Sequence, residues 1–324
     1  MTGTDGTPDS KTTGEVADAV KGNWVDTLAP EVTRPYLRLN RADRPIGTWL
    51  LLIPCVWSIA TVSLMQGAFT SLHLWVLIGC TVGAWLMRGA GCTWNDITDR
   101  EIDASVARTR SRPIPSGQVT VRNAAIWMVL QSLIALAILL TFSPVAIALG
   151  VGSVLLVCIY PFAKRVTWWP QLFLGLAINW GALLAWAAVA DGLSLAPVLL
   201  YISGIFWTLF YDTIYAHQDI DDDALIGVKS TARLFGDQTA KWLKWFMIGS
   251  VTFMGAGLIV ALAPEANVLQ LVIALGGVWA FGWHLMWQLS QLDIEDGERC
   301  RLLFLSNRNA GFIPVLFLAA AHFT

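Results

Sequence analysis

Two acidic clusters stand in a chain that is otherwise built mostly of apolar residues. One is Asn95-Asp96-Ile97-Thr98-Asp99-Arg100-Glu101-Ile102-Asp103, and the other is Asp212 followed by Asp219-Ile220-Asp221-Asp222-Asp223. Each comes directly after an apolar stretch. A carboxylate at the centre of a bilayer costs about 2.5–3.5 kcal/mol even on the mildest insertion scale, so these groups must face water, a cavity or a cation. Asp96, Asp99 and Asp103 are spaced i, i+3, i+7, which places all three on one face of a continuing helix. Asp219 and Asp223 are spaced i, i+4, with Asp212 one heptad step before Asp219. Like charges at such spacing repel unless a cation bridges them. Oxygen ligands with no Cys and a single nearby His, His217, suit a hard cation. Mg2+ fits best, because it takes one or two carboxylates and fills its shell with water and substrate phosphate. Asp96, Asp99, Asp103, Asp219 and Asp223 are therefore candidate metal ligands, and with Asp212 they are the candidate catalytic carboxylates. Two facing sets would hold two Mg2+ ions with a diphosphate between them.

Bases lie beside both clusters. Arg108-Thr109-Arg110-Ser111-Arg112-Pro113-Ile114-Pro115-Ser116-Gly117 follows the first, and Gly227-Val228-Lys229-Ser230-Thr231 follows the second. Arg, Lys, hydroxyls and Gly-opened amides bind phosphate oxygens; retention of bases on one membrane side is the other explanation. Tyr160 and Lys164, spaced i, i+4, would close over the same site, or serve as an interfacial Tyr with a snorkelling Lys. Arg88 stands inside Leu86-Met87-Arg88-Gly89-Ala90-Gly91-Cys92, one to two turns before Asn95 and Asp96. A base on a membrane helix needs an anion partner or a cavity. It is read as a site for a substrate carboxylate, or as a structural partner of one of the aspartates. Asn95 would hydrogen-bond a substrate phenol or orient a metal ligand.

The elements that position these residues follow from hydropathy. Of 324 residues, 56% are hydrophobic and only 14% charged, against about 25% charged in soluble domains. Windows of about 20 apolar residues fall near 46–65, 71–91, 122–141, 143–161, 170–190, 194–211, 242–263, 267–289 and 303–321, which predicts nine membrane helices. All 21 Lys and Arg fall on one side of that arrangement. By the positive-inside rule this face is expected to be cytoplasmic, with the N-terminus. Both acidic clusters share it, in its two longest internal connections. A single acidic motif reads as a solvated loop; two on one side read as chemistry. Residues 1–30 are polar and are expected to be a flexible tail, with 31–324 as the membrane domain. The five Cys show no paired spacing and read as buried packing residues, while the net charge of −2 gives no hint of a nucleic-acid partner.

These residues resemble the UbiA-type intramembrane prenyltransferases, and within them the 4-hydroxybenzoate polyprenyltransferases of ubiquinone synthesis. The motif NDxxDxxxD is present at Asn95, Asp96, Asp99 and Asp103, and DxxxD at Asp219 and Asp223. The subfamily likeness rests on longer strings: Arg44-Pro45-Ile46-Gly47-Thr48-Trp49, Met87 to Cys92, Arg108 to Gly117, Tyr160 to Arg165, and Tyr211-Asp212-Thr213-Ile214-Tyr215-Ala216-His217-Gln218-Asp219. The match runs over roughly residues 35–320.

The resemblance implies an all-α, multi-pass bundle of nine transmembrane helices around a central cavity, with a cytoplasmic cap. It implies Mg2+-dependent transfer of a polyprenyl chain from its diphosphate to the ring carbon ortho to the phenol of 4-hydroxybenzoate. Arg88, Asn95, Arg108, Arg112, Tyr160, Lys164, Tyr215, Lys229 and Arg44 are the expected substrate-binding residues. Asp212, which stands apart from the tight DxxxD pair, is the candidate for polarising the phenol or taking a proton. A bacterial inner membrane is the expected location, and a lateral opening would let the prenyl tail out into lipid. The rivals are a sister enzyme with another aromatic acceptor and a cation exchanger using intramembrane carboxylates.

Overall fold

The computed structural model describes Val16, Ala19 and residues 22–106, 109–220 and 227–324, without the Asp219 side chain. Among these residues every regular element is helical. The helices are α1 (Trp24–Thr27), α2 (Arg34–Leu39), α3 (Ile46–Met65), α4 (Ser71–Thr98), α5 (Arg100–Ser105), α6 (Val121–Leu139), α7 (Pro144–Val166), α8 (Pro170–Ile178), α9 (Gly181–Ala190), α10 (Leu195–Ala216), α11 (Thr231–Phe235), α12 (Thr239–Leu262), α13 (Val268–Ser290) and α14 (Gly297–Ala321). Among the described residues nine spans are long and apolar enough to cross a membrane, as the hydropathy windows predict. The fifth comprises α8 and α9, and the seventh runs from α11 through α12.

Local chemistry sets the ends of these helices. Ser143 caps α7 by accepting from the Ala146 N–H, and Pro144 follows at the first helical position, where its missing N–H costs nothing. That makes the tight α6–α7 turn expected at Ser143-Pro144. Thr120 caps α6 in the same way through the Asn123 N–H. Asn267 and Gln270 cap α13 reciprocally. Mid-membrane, the fifth span breaks at Asn179. Its Nδ2 donates to the Gly175 carbonyl at 2.9 Å and to Thr208 Oγ1 at 2.8 Å, so the break does not leave that carbonyl bare in a low-dielectric interior.

The core sits among α3, α10, α13 and α14. Trp57, Trp207 and Phe281 form one ring cluster with centroids 5.2–6.2 Å apart, and both indoles keep a polar partner, as buried Trp requires. Trp57 Nε1 donates to the Gly311 carbonyl at 2.7 Å and Trp207 Nε1 to Asn307 Oδ1 at 2.9 Å. By contrast α6 is peripheral: 11% of its apolar window is buried, against 67% for α3. Ile126, Val129, Leu130 and Leu133 of α6 are exposed and face lipid.

Part of the stretch expected to be a tail is packed. Val25 and Ala29 form a small cluster with Ala42, Asp26 pairs with Arg38 at 2.6 Å, and Trp24 Nε1 donates to the Ala42 carbonyl at 2.9 Å. An indole that needs a partner and an Asp–Arg pair hold these residues down despite their polar, low-complexity neighbourhood.

Candidate active site

The first acidic motif lies at the end of α4 and along α5. α4 keeps its helix to Thr98, and Asp99 is the joint at which α5 begins. The break corrects the expectation of one shared face. Asp96 and Asp103, seven residues apart, both reach Arg112, at 3.5 and 3.0 Å. Asp99 turns instead to α7, where Lys164 Nζ and Arg165 Nη2 donate to it at 2.5 and 2.8 Å. Asp96 Oδ1 also accepts from Arg41 Nη2 at 2.5 Å. All three carboxylates are buried, so each needs this neutralisation. Burial pushes the Asp103 carboxyl above its ordinary value, and the Arg112 guanidinium pulls it part of the way back.

A charged cavity of about 240 Å3 adjoins the motif. It brings together Asn95, Asp103, Arg112, Tyr160, Lys164, Asp212, Tyr215 and Lys229, all of them residues expected from sequence. The connection after the sixth span is tied to α7: the Lys229 N–H donates to the Lys164 carbonyl and its Nζ to the Val166 carbonyl, both at 3.1 Å. Tyr215 packs on Phe304 with centroids 4.3 Å apart. Asp223 and Arg108 lie outside the described residues, as does the Asp219 side chain. The backbone of Asp219 ends a short 3-10 turn, His217–Asp219, directly below α10. Among the described residues no three His, Cys, Asp or Glu side chains converge as a metal cage.

Arg88 takes a different position. Its guanidinium lies against the backbone of Gly47 at the start of α3, where an added Cβ would fall 2.5–2.6 Å from Nε, Cζ and Nη2. Only a residue without a side chain lets the group pass there. Arg88 makes no hydrogen bond or ion pair with a described residue, yet it is within electrostatic range of Asp212 and Tyr160. Arg88 itself lines neither cavity, and Asp212, which lines the charged one, is the carboxylate that feels its charge. Arg44 sits elsewhere: its Nε lies 3.5 Å from Asp43 Oδ1, and it does not line the charged cavity. The His217 imidazole is buried, which holds its pKa below the usual value, and its Nε2 bonds Thr239 Oγ1 at 3.1 Å. Packing explains it.

Three residues of the site were not singled out by the sequence. Arg41 and Arg165 counted there only as markers of the basic face. The one local sign for Arg41 is structural: φ is +54°, a left-handed position just past the end of α2 that Gly usually fills. Gln171, which also lines the cavity, is uncharged and follows Pro170 at the start of α8, so neither charge nor spacing marks it.

A second, apolar cavity of about 590 Å3 is lined by the same two helices, α4 and α7. On α4 it runs from Gly79 to Trp94, fifteen residues or about 22 Å, and the charged cavity begins at the next residue, Asn95. On α7 it ends at Cys158, and the charged cavity takes up Tyr160. Val129, Leu133 and Val154 line it and are themselves exposed, so its flank opens toward lipid between α6 and α7. Along α4 and α7 a charged chamber and a long apolar slot are thus lined by neighbouring residues.

Comparison with known proteins agrees with this arrangement. The chain is 47% identical over 294 residues to the mitochondrial 4-hydroxybenzoate polyprenyltransferase of Rattus norvegicus, covering 90% of this chain and 75% of that protein. It is 47% identical over 292 residues to the mitochondrial enzyme of that name from Homo sapiens, covering 89% and 75%. For that of Arabidopsis thaliana the identity is 46% over 294 residues, covering 90% and 70%. Among solved structures, a UbiA homolog from Archaeoglobus fulgidus bound to GPP and Mg2+ superposes with a TM-score of 0.68 at 17% identity, covering 90% of this chain and 100% of that one. The apo structure of a UbiA homolog from Aeropyrum pernix K1 gives 0.66 at 23%, covering 85% and 97%. At these identities the two structures establish the fold.

One expectation is overturned. The relatives are mitochondrial enzymes of animals and a plant, so placement in a bacterial inner membrane does not stand, nor does the cytoplasmic label on the basic face. The error has a physical cause: apolar length and base asymmetry report a membrane and its two sides, not which membrane. The model of the UbiA prenyltransferase family matches residues 51–315, and with both cavities and the acidic motif inside that range, the chain belongs to this family.

Proposed function

We propose that this chain transfers a polyprenyl group from polyprenyl diphosphate to the ring carbon ortho to the phenol of 4-hydroxybenzoate. The products are 3-polyprenyl-4-hydroxybenzoate and diphosphate. The carrying observation is the change of lining along α4 and α7: the apolar slot is lined as far as Trp94 and Cys158, and the charged chamber from Asn95 and Tyr160. A prenyl diphosphate has that same division between an apolar tail and a doubly charged head.

The donor set fits Mg2+. Asn95 Oδ1 and Asp96 Oδ2 are buried and have no hydrogen-bond partner among the described residues. A buried oxygen without a partner is costly unless a hard cation takes it. Asn95, Asp96 and Asp103, with Asp219 and Asp223 from the second motif, are the residues that would hold the metal. Mg2+, when bound, supplies the charge that draws the electron pair of the breaking C–O bond onto the leaving diphosphate.

The chain's own groups do the rest. Lys164, Lys229 and Arg112 bind the diphosphate oxygens in a chamber where charge is poorly screened. The slot walls keep water from the allylic carbon once the C–O bond loosens, and the Trp94 ring at the end of the slot presents a π face to the cationic chain end. Arg88, held open against Gly47, takes the benzoate carboxylate and turns the ring toward that chain end. The ring carbon forms the new C–C bond, and its proton leaves to restore aromaticity. Asp212, which lines the chamber within range of Arg88, polarises the phenol or accepts a proton. We assign the whole reaction to one membrane domain, residues 31–324.

The test is direct. Purified full-length protein in detergent receives polyprenyl diphosphate and 4-hydroxybenzoate, with and without Mg2+, and the products are resolved by mass spectrometry. A prenylated acid that forms only with the metal is expected. Ion flux across reconstituted vesicles without any prenylated acid would overturn the reading.

A further inference from the structure

Gln171 has one half of its side chain explained and the other half not. It is 4% exposed, and its Oε1 accepts from the Thr231 backbone N–H at 3.1 Å. That bond fixes the orientation of the amide, because a backbone N–H can only be met by the oxygen. Its Nε2 makes no hydrogen bond with any described residue, and the side chain lines the charged chamber beside Lys164, Lys229 and Ser230. The Thr231 latch uses only the oxygen, which leaves the two N–H donors open to a ligand in the chamber.

The surroundings state which charge those donors await. Gln171 is the second residue of α8, after Pro170, and no side chain caps that helix. The start of a nine-residue helix carries the positive end of its dipole and favours an anion. It follows Lys164 and Arg165 by one short connection, and Thr231 joins it to the segment after the second acidic motif. We propose that Gln171 is a diphosphate-binding residue: Oε1 is pinned by Thr231, and Nε2 donates to an outer oxygen of the prenyl diphosphate at the start of α8. The assignment rests on the transfer reaction proposed above.

Gln171→Glu separates the two roles. The carboxylate still accepts from the Thr231 N–H, so the latch and the fold persist, but the second position now repels phosphate instead of donating to it. Binding of Mg2+–pyrophosphate to the full-length protein in detergent is measured by calorimetry, together with 4-hydroxybenzoate binding and the melting temperature. The expected result for Gln171→Glu is a loss of pyrophosphate affinity of at least about tenfold, the worth of a hydrogen bond to a charged group, with 4-hydroxybenzoate affinity and melting temperature unchanged. Gln171→Ala loses the donor and the latch, so it lowers both pyrophosphate affinity and melting temperature. Unchanged pyrophosphate affinity in Gln171→Glu overturns the assignment and leaves Gln171 a latch. Loss confined to 4-hydroxybenzoate overturns it too, and moves the donor to the acceptor. Absence of pyrophosphate binding in the wild-type chain would instead sink the transfer reaction itself.

Discussion

Gly47→Ala is a one-carbon change that separates the acceptor side of the site from the diphosphate side. The new Cβ would lie 2.5–2.6 Å from three atoms of the Arg88 guanidinium, about 1 Å inside ordinary carbon contact. Arg88 is the flexible partner, since it makes no ion pair or hydrogen bond with a described residue, so it moves rather than the helix. The fold is therefore spared, and replacing Gly inside a helix adds about 0.5–1 kcal/mol of stability. A charge-assisted contact from Arg88 to the benzoate carboxylate is worth about 1.5–3 kcal/mol, which is roughly ten- to a hundredfold in affinity. Displacement by about 1 Å forfeits most of it and misplaces the ring as well. Steady-state kinetics with one substrate varied at a time provides the assay. We expect kcat/KM for 4-hydroxybenzoate to fall at least tenfold, while the KM for polyprenyl diphosphate stays within twofold and the melting temperature does not drop. An equal loss for both substrates, or none for the acid, would refute the placement of Arg88 against Gly47 as the acceptor's anchor.

Further perturbations follow from the same geometry. Asp96→Asn removes the buried charge shared by Arg41 and Arg112 and is expected to cut turnover at least a hundredfold, with excess Mg2+ failing to restore it in a metal titration. Lys164→Met leaves Asp99 paired with Arg165, so the fold should persist while the KM for the diphosphate substrate rises about tenfold; a fall in melting temperature without a KM change would make Lys164 purely structural. Gly83→Phe should block the apolar slot, since nothing within 4 Å opposes a side chain there. Long-chain diphosphates should then lose at least tenfold in kcat/KM while the five-carbon analogue stays within about twofold; equal effects on both would refute the slot. Chelation with EDTA should stop product formation, and Mg2+ should restore it.

Much of the fold was legible because membrane solvation is strict. Among the described residues nine spans answer nine apolar windows, and Ser143-Pro144 marked the α6–α7 turn by its own chemistry. The break at Asn179 was not legible. A lone Asn inside an apolar run does not say whether it caps a freed carbonyl, and the Thr208 hydroxyl that supports it lies 29 residues away. Likewise the spacing of Asp96, Asp99 and Asp103 fits a single face, and only the joint at Asp99 sends the middle carboxylate to α7. The chamber residues were found where charge gave them away. Gln171 escaped because an amide leaves no trace in charge or periodicity.

The central claim is that the two acidic motifs and the bases around them form one metal–diphosphate clamp, with the acceptor beside Arg88. An experimental structure of the full-length protein with a non-hydrolysable prenyl thiodiphosphate, 4-hydroxybenzoate and Mn2+ as an anomalous stand-in for Mg2+ tests it most directly. The account predicts anomalous peaks against Asp96 and the Asp219–Asp223 motif, the diphosphate between them near Lys164 and Gln171, the tail along α4 toward Gly79, and the benzoate carboxylate on Arg88. Metal bound away from Asp96, or a diphosphate outside the chamber that Asn95, Tyr160 and Asp212 line, would contradict it.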